Sequence, residues 1–165
     1  VNGAPAPGDV HAGREMTWRV GAAAETAALG ARLAELVVPG DVVCVCGPLG
    51  AGKTTFVQGL AAGLGVRGPV PSPTFTILRS HPGRVMLHHV DLYRVRAGRE
   101  VDELGLDELA ADGVLVVEWG ERLGAAVRAE RLEVEIAPVP GGGPDERTIR
   151  MRAGPSWAAR LERLR

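Results

Sequence analysis

Apolar residues recur along this chain in two rhythms. Across residues 25–37, Leu29, Leu33, Leu36 and Val37 fall at i, i+4, i+7 and i+8; across 53–64 one face carries Phe56, Leu60 and Leu64. Both are the stripes of helices lying on a core. Pro39-Gly40 closes the first and Gly65 the second. Unbroken apolar runs at 41–46 (DVVCVC) and 114–118 (VLVVE) have the length and character of strands buried on both faces of a parallel sheet. Further strands are predicted at 17–20, at 75–79 and 85–91 around the turn His81-Pro82-Gly83, and at 131–137 and 148–152 across Gly141-Gly142-Gly143.

Between these lie an extended loop at 68–73, held out of the helical region by Pro71 and Pro73, and a stretch at 100–112. The latter reads as one or two short acidic helices broken near Gly105. The alternation predicts an α/β domain with a mixed, mostly parallel sheet flanked by helices. Residues 1–15, rich in Gly, Ala and Pro, are expected to form a flexible leader. Residues 16–153 would make the domain, and 154–165 an Arg-rich terminal helix or tail. No internal repeat is visible.

Composition narrows the function. The 165 residues are 45% apolar and 24% charged, ordinary values for one globular domain. Nineteen basic against twenty acidic side chains give a net charge of −1, which argues against a bulk-charge grip on nucleic acid. No apolar stretch approaches the ~20 residues of a membrane span. Cys44 and Cys46, two apart in one apolar run, read as small buried hydrophobes, so a reducing, cytoplasmic setting is expected. Of the nineteen basic residues only Lys53 is lysine. A compact ammonium suits a place among phosphate oxygens.

Lys53 lies in Gly47-Pro48-Leu49-Gly50-Ala51-Gly52-Lys53-Thr54, which fits GxxxxGK[ST] between a buried strand and a helix. Glycines let successive backbone N–H groups turn toward phosphate, and the following helix adds its positive N-terminal end. Lys53 would reach the outer phosphates and Thr54 would ligate Mg²⁺. Two strand-ending carboxylates, Asp91 and Glu118, are candidates to hold the metal and to orient or deprotonate water. His89 shares a strand face with Asp91 and reads as a core or supporting histidine. The hydroxyls of Ser72-Pro73-Thr74 would either sense the γ-phosphate or simply make a turn. Trp119 is either core packing or a platform beside the ligand. With the only lysine already used, the Asn-Lys-x-Asp signature of guanine binding is absent, so adenine is the expected base.

Taken in order, GPLGAGKTTF, SPTFTIL, HHVDLYR, ELGLDEL and VVEWGE resemble the TsaE (YjeE) family over about residues 17–152. These are small P-loop ATPases needed to make N6-threonylcarbamoyladenosine at position 37 of tRNA. The resemblance implies a P-loop NTPase-like fold, ATP and Mg as ligands, and TsaB and TsaD as protein partners, with tRNA met indirectly or through that complex. It maps the nucleotide-binding stretch onto Leu49, Gly50, Ala51, Gly52, Lys53 and Thr54, with Thr55 beside them. Thr54 and Glu118 match the metal ligands, Asp91 the aspartate important for hydrolysis, Thr74 the switch threonine, and Trp119 the tryptophan after the acidic residue. Asp91 and Lys53 are thus the expected catalytic residues. The adenine would lie near residues 23–26, with Ala23 as a contact. One departure is His88, where the family often has an aromatic residue. A small-molecule kinase, with Arg94, Arg96 and Arg99 as a lid, is the alternative, and a non-catalytic nucleotide-binding scaffold a third reading. The acidic 100–121 stretch reads as a solvated face or a docking surface, and the six arginines after Pro144 as a contact for tRNA or protein.

Overall fold

The structure, a computed structural model, describes residues 14–96, 98–124, 127 and 130–164. Residues 1–13 of the expected leader lie outside them, whereas Arg14 and Glu15 open the first strand. The elements are β1 (Arg14–Val20), α1 (Ala23–Ala34), β2 (Val42–Cys46), α2 (Lys53–Gly63), β3 (Leu78–His81) and β4 (Leu87–Asp91). Then come α3 (Arg99–Asp102), α4 (Leu106–Asp112), β5 (Val114–Glu118), β6 (Arg131–Pro138), β7 (Arg147–Ala153) and α5 (Pro155–Leu161). Tight 3₁₀ turns at Gly120–Arg122 and Glu162–Leu164 follow β5 and α5.

The strands form one seven-stranded mixed sheet in the order β1-β7-β6-β2-β5-β4-β3. The four central strands β6, β2, β5 and β4 are parallel, and β1–β7, β7–β6 and β4–β3 pair antiparallel. Half of the pairings are therefore parallel, which corrects the expectation of a mostly parallel sheet. The cause lies in the connections. The short links β3–β4 and β6–β7 can join only antiparallel neighbours, while the parallel pair β4–β5 is joined through α3 and α4.

Register places the chemistry. Asp91 on β4 aligns with Glu118 on β5, and Val45 on β2 aligns with the same Glu118. All three strands therefore end at one level, at their C-terminal edge. On one sheet face Val43, Val45, Val116 and Ile149 meet Leu33, Phe56, Leu60 and Trp157 from α1, α2 and α5. On the other, Val42, Cys44, Leu115 and Val117 meet Leu106 and Leu123. Each fully buried Leu or Phe contributes about 1.5–3 kcal/mol. Burial pushes both thiols, Cys44 and the half-buried Cys46, up to about 12, so neither is a nucleophile at neutral pH.

Helices α1 and α2 touch backbone to backbone. A Cβ at Gly59 would sit 1.9 Å from the Ala27 carbonyl oxygen, and one at Gly30 2.2 Å from that of Phe56. Glu25 steadies the entry to α1 by accepting the Gly21 N–H at 2.8 Å.

The C-terminal segment contributes to the fold. In α5, Trp157 is fully buried, and Arg160 forks onto Asp41 at the start of β2 at 2.6 and 2.9 Å while stacking on Trp157. Arg150 and Arg152 pair across the outer sheet face with Glu15, Glu133 and Glu135. Arg150, Arg152 and Arg160 thus each have carboxylate partners within the fold.

The expected strand at 75–79 begins only at Leu78. Phe75 is 84% exposed, and Ile77 adopts φ 66°, with its N–H donating to the Pro73 carbonyl at 2.6 Å. The chain turns where the apolar pattern suggested pairing. No helix among the described residues is long and apolar enough to cross a membrane.

Candidate functional site

The buried strand β2 delivers the chain to Gly47, and α2 starts at Lys53. Gly52 caps that helix with φ 104°, a left-handed conformation that a side chain would resist. The first-turn amides of α2 have no intrahelical acceptor, so the loop and the helix end together form a concentration of N–H donors. Lys53 is 5% exposed and folds back over the loop. Its Nζ donates to the carbonyls of Gly47 (2.8 Å) and Pro48 (2.9 Å) and stands 3.9 Å above the Trp119 ring. Burial pulls its pKa below the ordinary lysine value, against the opposing pull of Glu118, Glu121 and Asp91.

The two carboxylates are both buried but differently held. Thr54 Oγ donates to both oxygens of Glu118 at 3.0 Å, and His89 Nε2 donates to Glu118 Oε1 at 2.8 Å. His89 Nδ1 is buried without a partner. His89 therefore supports Glu118 and does not pair with Asp91; among the described residues no three His, Cys, Asp or Glu groups cluster as a metal site. A threonine hydroxyl beside one carboxylate is a hard, two-oxygen donor set. It fits Mg²⁺, which takes few protein oxygens and fills its remaining positions with phosphate and water.

Asp91 faces the 72–77 segment. Its Oδ2 accepts from Thr74 Oγ1 (2.7 Å) and Ser72 Oγ (3.1 Å), and its Oδ1 accepts the Tyr93 N–H (2.8 Å). Ser72 and Thr74 also bond to each other at 2.7 Å. Trp119, directly after Glu118, takes φ 59°, a rare conformation for a bulky residue. That turn lays its ring against Lys53 and, at 5.1 Å, against Tyr93. Arg122 braces this corner by donating to the carbonyls of Leu92 (3.0 Å) and Tyr93.

These groups surround a cleft of about 360 Å³. Leu49, Gly50, Ala51, Gly52, Lys53, Thr54 and Thr55 form one bank, together with Glu118, which Thr54 bonds; Thr74, Asp91 and Trp119 form the other. Ala23 lies apart, in an adjoining pocket of about 160 Å³ with Thr26, Asp145 and Arg147, which shares Gly50, Ala51, Gly52 and Thr55 with the cleft.

A family model described as "Threonylcarbamoyl adenosine biosynthesis protein TsaE" matches residues 20–147. The chain belongs to the TsaE family. A Streptomyces coelicolor protein named tRNA threonylcarbamoyladenosine biosynthesis protein TsaE is 48% identical over 122 residues, 72% of this chain and 82% of the relative. A Bacillus subtilis protein of the same name is 41% identical over 142 residues, 85% and 87% of the two chains. The crystal structure of YdiB from Bacillus subtilis superposes with a TM-score of 0.79 at 36% identity, covering 93% of this chain and 96% of that one.

The TsaE family match contains every residue marked from the sequence as a site candidate. Arg122 carries no motif-level signal of its own. Tyr93, the chain's single tyrosine, lies inside the HHVDLYR stretch, but the sequence alone assigns it no role there. Arg94, offered for a kinase-like lid, sits over the Phe75 ring, and Arg99 pairs with Glu103 along α3. No arginine is among the described residues lining the cleft.

Proposed function

We propose that the chain binds ATP with Mg²⁺ and hydrolyses it, and that this activity serves threonylcarbamoyladenosine formation on tRNA together with TsaB and TsaD. The observation that carries the reading is the facing of the glycine-rich loop and Lys53 by two aligned, buried carboxylates that are held by different partners. Thr54 and Glu118 are the residues that would hold the cation; when bound, it offsets phosphate charge and polarises the bond to be broken. The loop amides and Lys53 bind the phosphates, Lys53 exchanging the Gly47 and Pro48 carbonyls for phosphate oxygens. Asp91 orients the attacking water. Three of its roughly four lone-pair positions are occupied, which leaves Oδ1 room for one more donor.

Family membership supports the threonylcarbamoyladenosine role. The exposed side chains of Leu49, Phe75 and Tyr93 at or beside the cleft mouth support action on a protein partner rather than on a small second substrate. The absence of arginine from the described cleft lining weighs against the kinase reading. Hydrolysis of ATP by the purified chain, measured with and without TsaB and TsaD, is the test. Stimulation by the pair is expected; identical rates would remove the coupling, and absent nucleotide binding would remove the whole reading.

A further inference from the structure

We infer that Arg147 is a positioning residue for the phosphate loop, holding the peptide that presents the Gly52 N–H to the ligand. The inference rests on the phosphate-binding reading above and adds a part that lies 96 residues from Ala51 in sequence.

Arg147 opens β7, where it pairs with Val20 on one side and Pro138 on the other, so its backbone is fixed by two neighbouring strands. Its guanidinium spans two structures. Nη1 donates to the carbonyls of Pro144 (2.7 Å) and Glu146 (2.9 Å) within the β6–β7 hairpin. On the loop side, Nε donates to the Ala51 carbonyl at 3.0 Å, and Nη2 approaches that of Gly50 at 3.4 Å. A planar fork with five donors can hold both sides at once; a single ammonium cannot.

The Ala51 carbonyl and the Gly52 N–H belong to one planar trans peptide and point in opposite directions. Fixing the carbonyl toward Arg147 therefore turns the Gly52 N–H away from it, toward the cleft that Gly52 lines. The preceding amide is already used, since Ala51 N–H donates to the Pro48 carbonyl at 3.1 Å and closes the turn. Without the fork, the peptide after Ala51 would be free to rotate, because glycine at position 52 imposes little restraint of its own. The donor would then have to be ordered at the ligand's expense.

Calorimetry with ADP and with inorganic tripolyphosphate, both with Mg²⁺, on wild type, Arg147→Lys and Arg147→Met tests this. Both variants are expected to bind both ligands about tenfold more weakly, the effect of one misplaced donor to a charged group. KM for ATP should rise in parallel while kcat stays within about threefold, because Asp91, Thr54 and Glu118 are untouched. Wild-type affinity in Arg147→Lys would mean that only charge mattered, and would overturn the inference. A fallen kcat at unchanged KM would do the same, pointing to general disorder. If Arg147→Met does not fold, Arg147→Lys decides. In wild type the Gly52 amide proton should shift on adding tripolyphosphate, and an unmoved resonance would also overturn the inference. Wild-type protein silent to both ligands would instead remove the phosphate reading itself.

Discussion

The two banks of the cleft are built to different standards. On the loop bank, each polar group is tied to the core: Lys53 and Thr54 stand on α2, Glu118 ends the central strand β5, and His89 braces it from β4. On the opposite bank, Asp91 is as deeply buried as Glu118, yet two of its three partners hang on the 72–77 segment. That segment exposes Phe75 and turns through a left-handed Ile77. The first bank is fixed in one geometry. The second has few buried apolar contacts and a carboxylate linked to it by two hydroxyls, so it can change when those bonds are exchanged. Under the proposed function, binding and response fall to different pieces of chain.

The contrast is broken most sharply at Asp91. Asp91→Asn keeps the shape of the bank but loses an acceptor, so kcat for ATP hydrolysis should fall about 10³-fold. ATP affinity by calorimetry should stay within about threefold of wild type, since the loop bank is intact. A parallel loss of binding would show that the banks do not act separately. Removing the brace on the other side is the milder break. His89→Leu should raise the Mg²⁺ concentration for half-maximal hydrolysis about tenfold, as losing an outer partner of a metal ligand does. ADP affinity without metal should be unchanged. Smallest of all is Phe75→Ala: its unfolding free energy should lie within about 0.5 kcal/mol of wild type, because the ring covers no core. A thermal melt checks this, and a large loss would mean that the 72–77 bank is structurally fixed after all.

Much of the loop bank was legible in sequence because it is local. A phosphate loop needs glycine where the backbone turns left-handed, a lysine and a hydroxyl at the next helix, and those demands fall within eight consecutive residues. Asp91 and Glu118 were legible because a carboxylate ending an apolar run must find a use. On the other bank the backbone course at 75–77 was not. Residues 75–79 have the β-branched and aromatic character of a strand, and nothing local announces a β-branched residue at positive φ. Tertiary pairing decided it: the Asp91 N–H donates to the Ile77 carbonyl at 2.9 Å, which ties that turn to the end of β4. The ion pairs of Arg150, Arg152 and Arg160 were hidden for the same reason: Asp41 and Glu15 lie far away in sequence, so a charge count could not show them.

The glycine contacts between α1 and α2 bear on how the molecule can respond to load. With bare backbone against backbone at Gly30 and Gly59, no side chain separates the helices at those points to absorb a shift. Tension applied where α2 begins is passed on to its neighbour as if the two were a single beam. Any yielding that the proposed hydrolysis requires would then be found across the gap, in the stretch that carries Thr74 and Phe75.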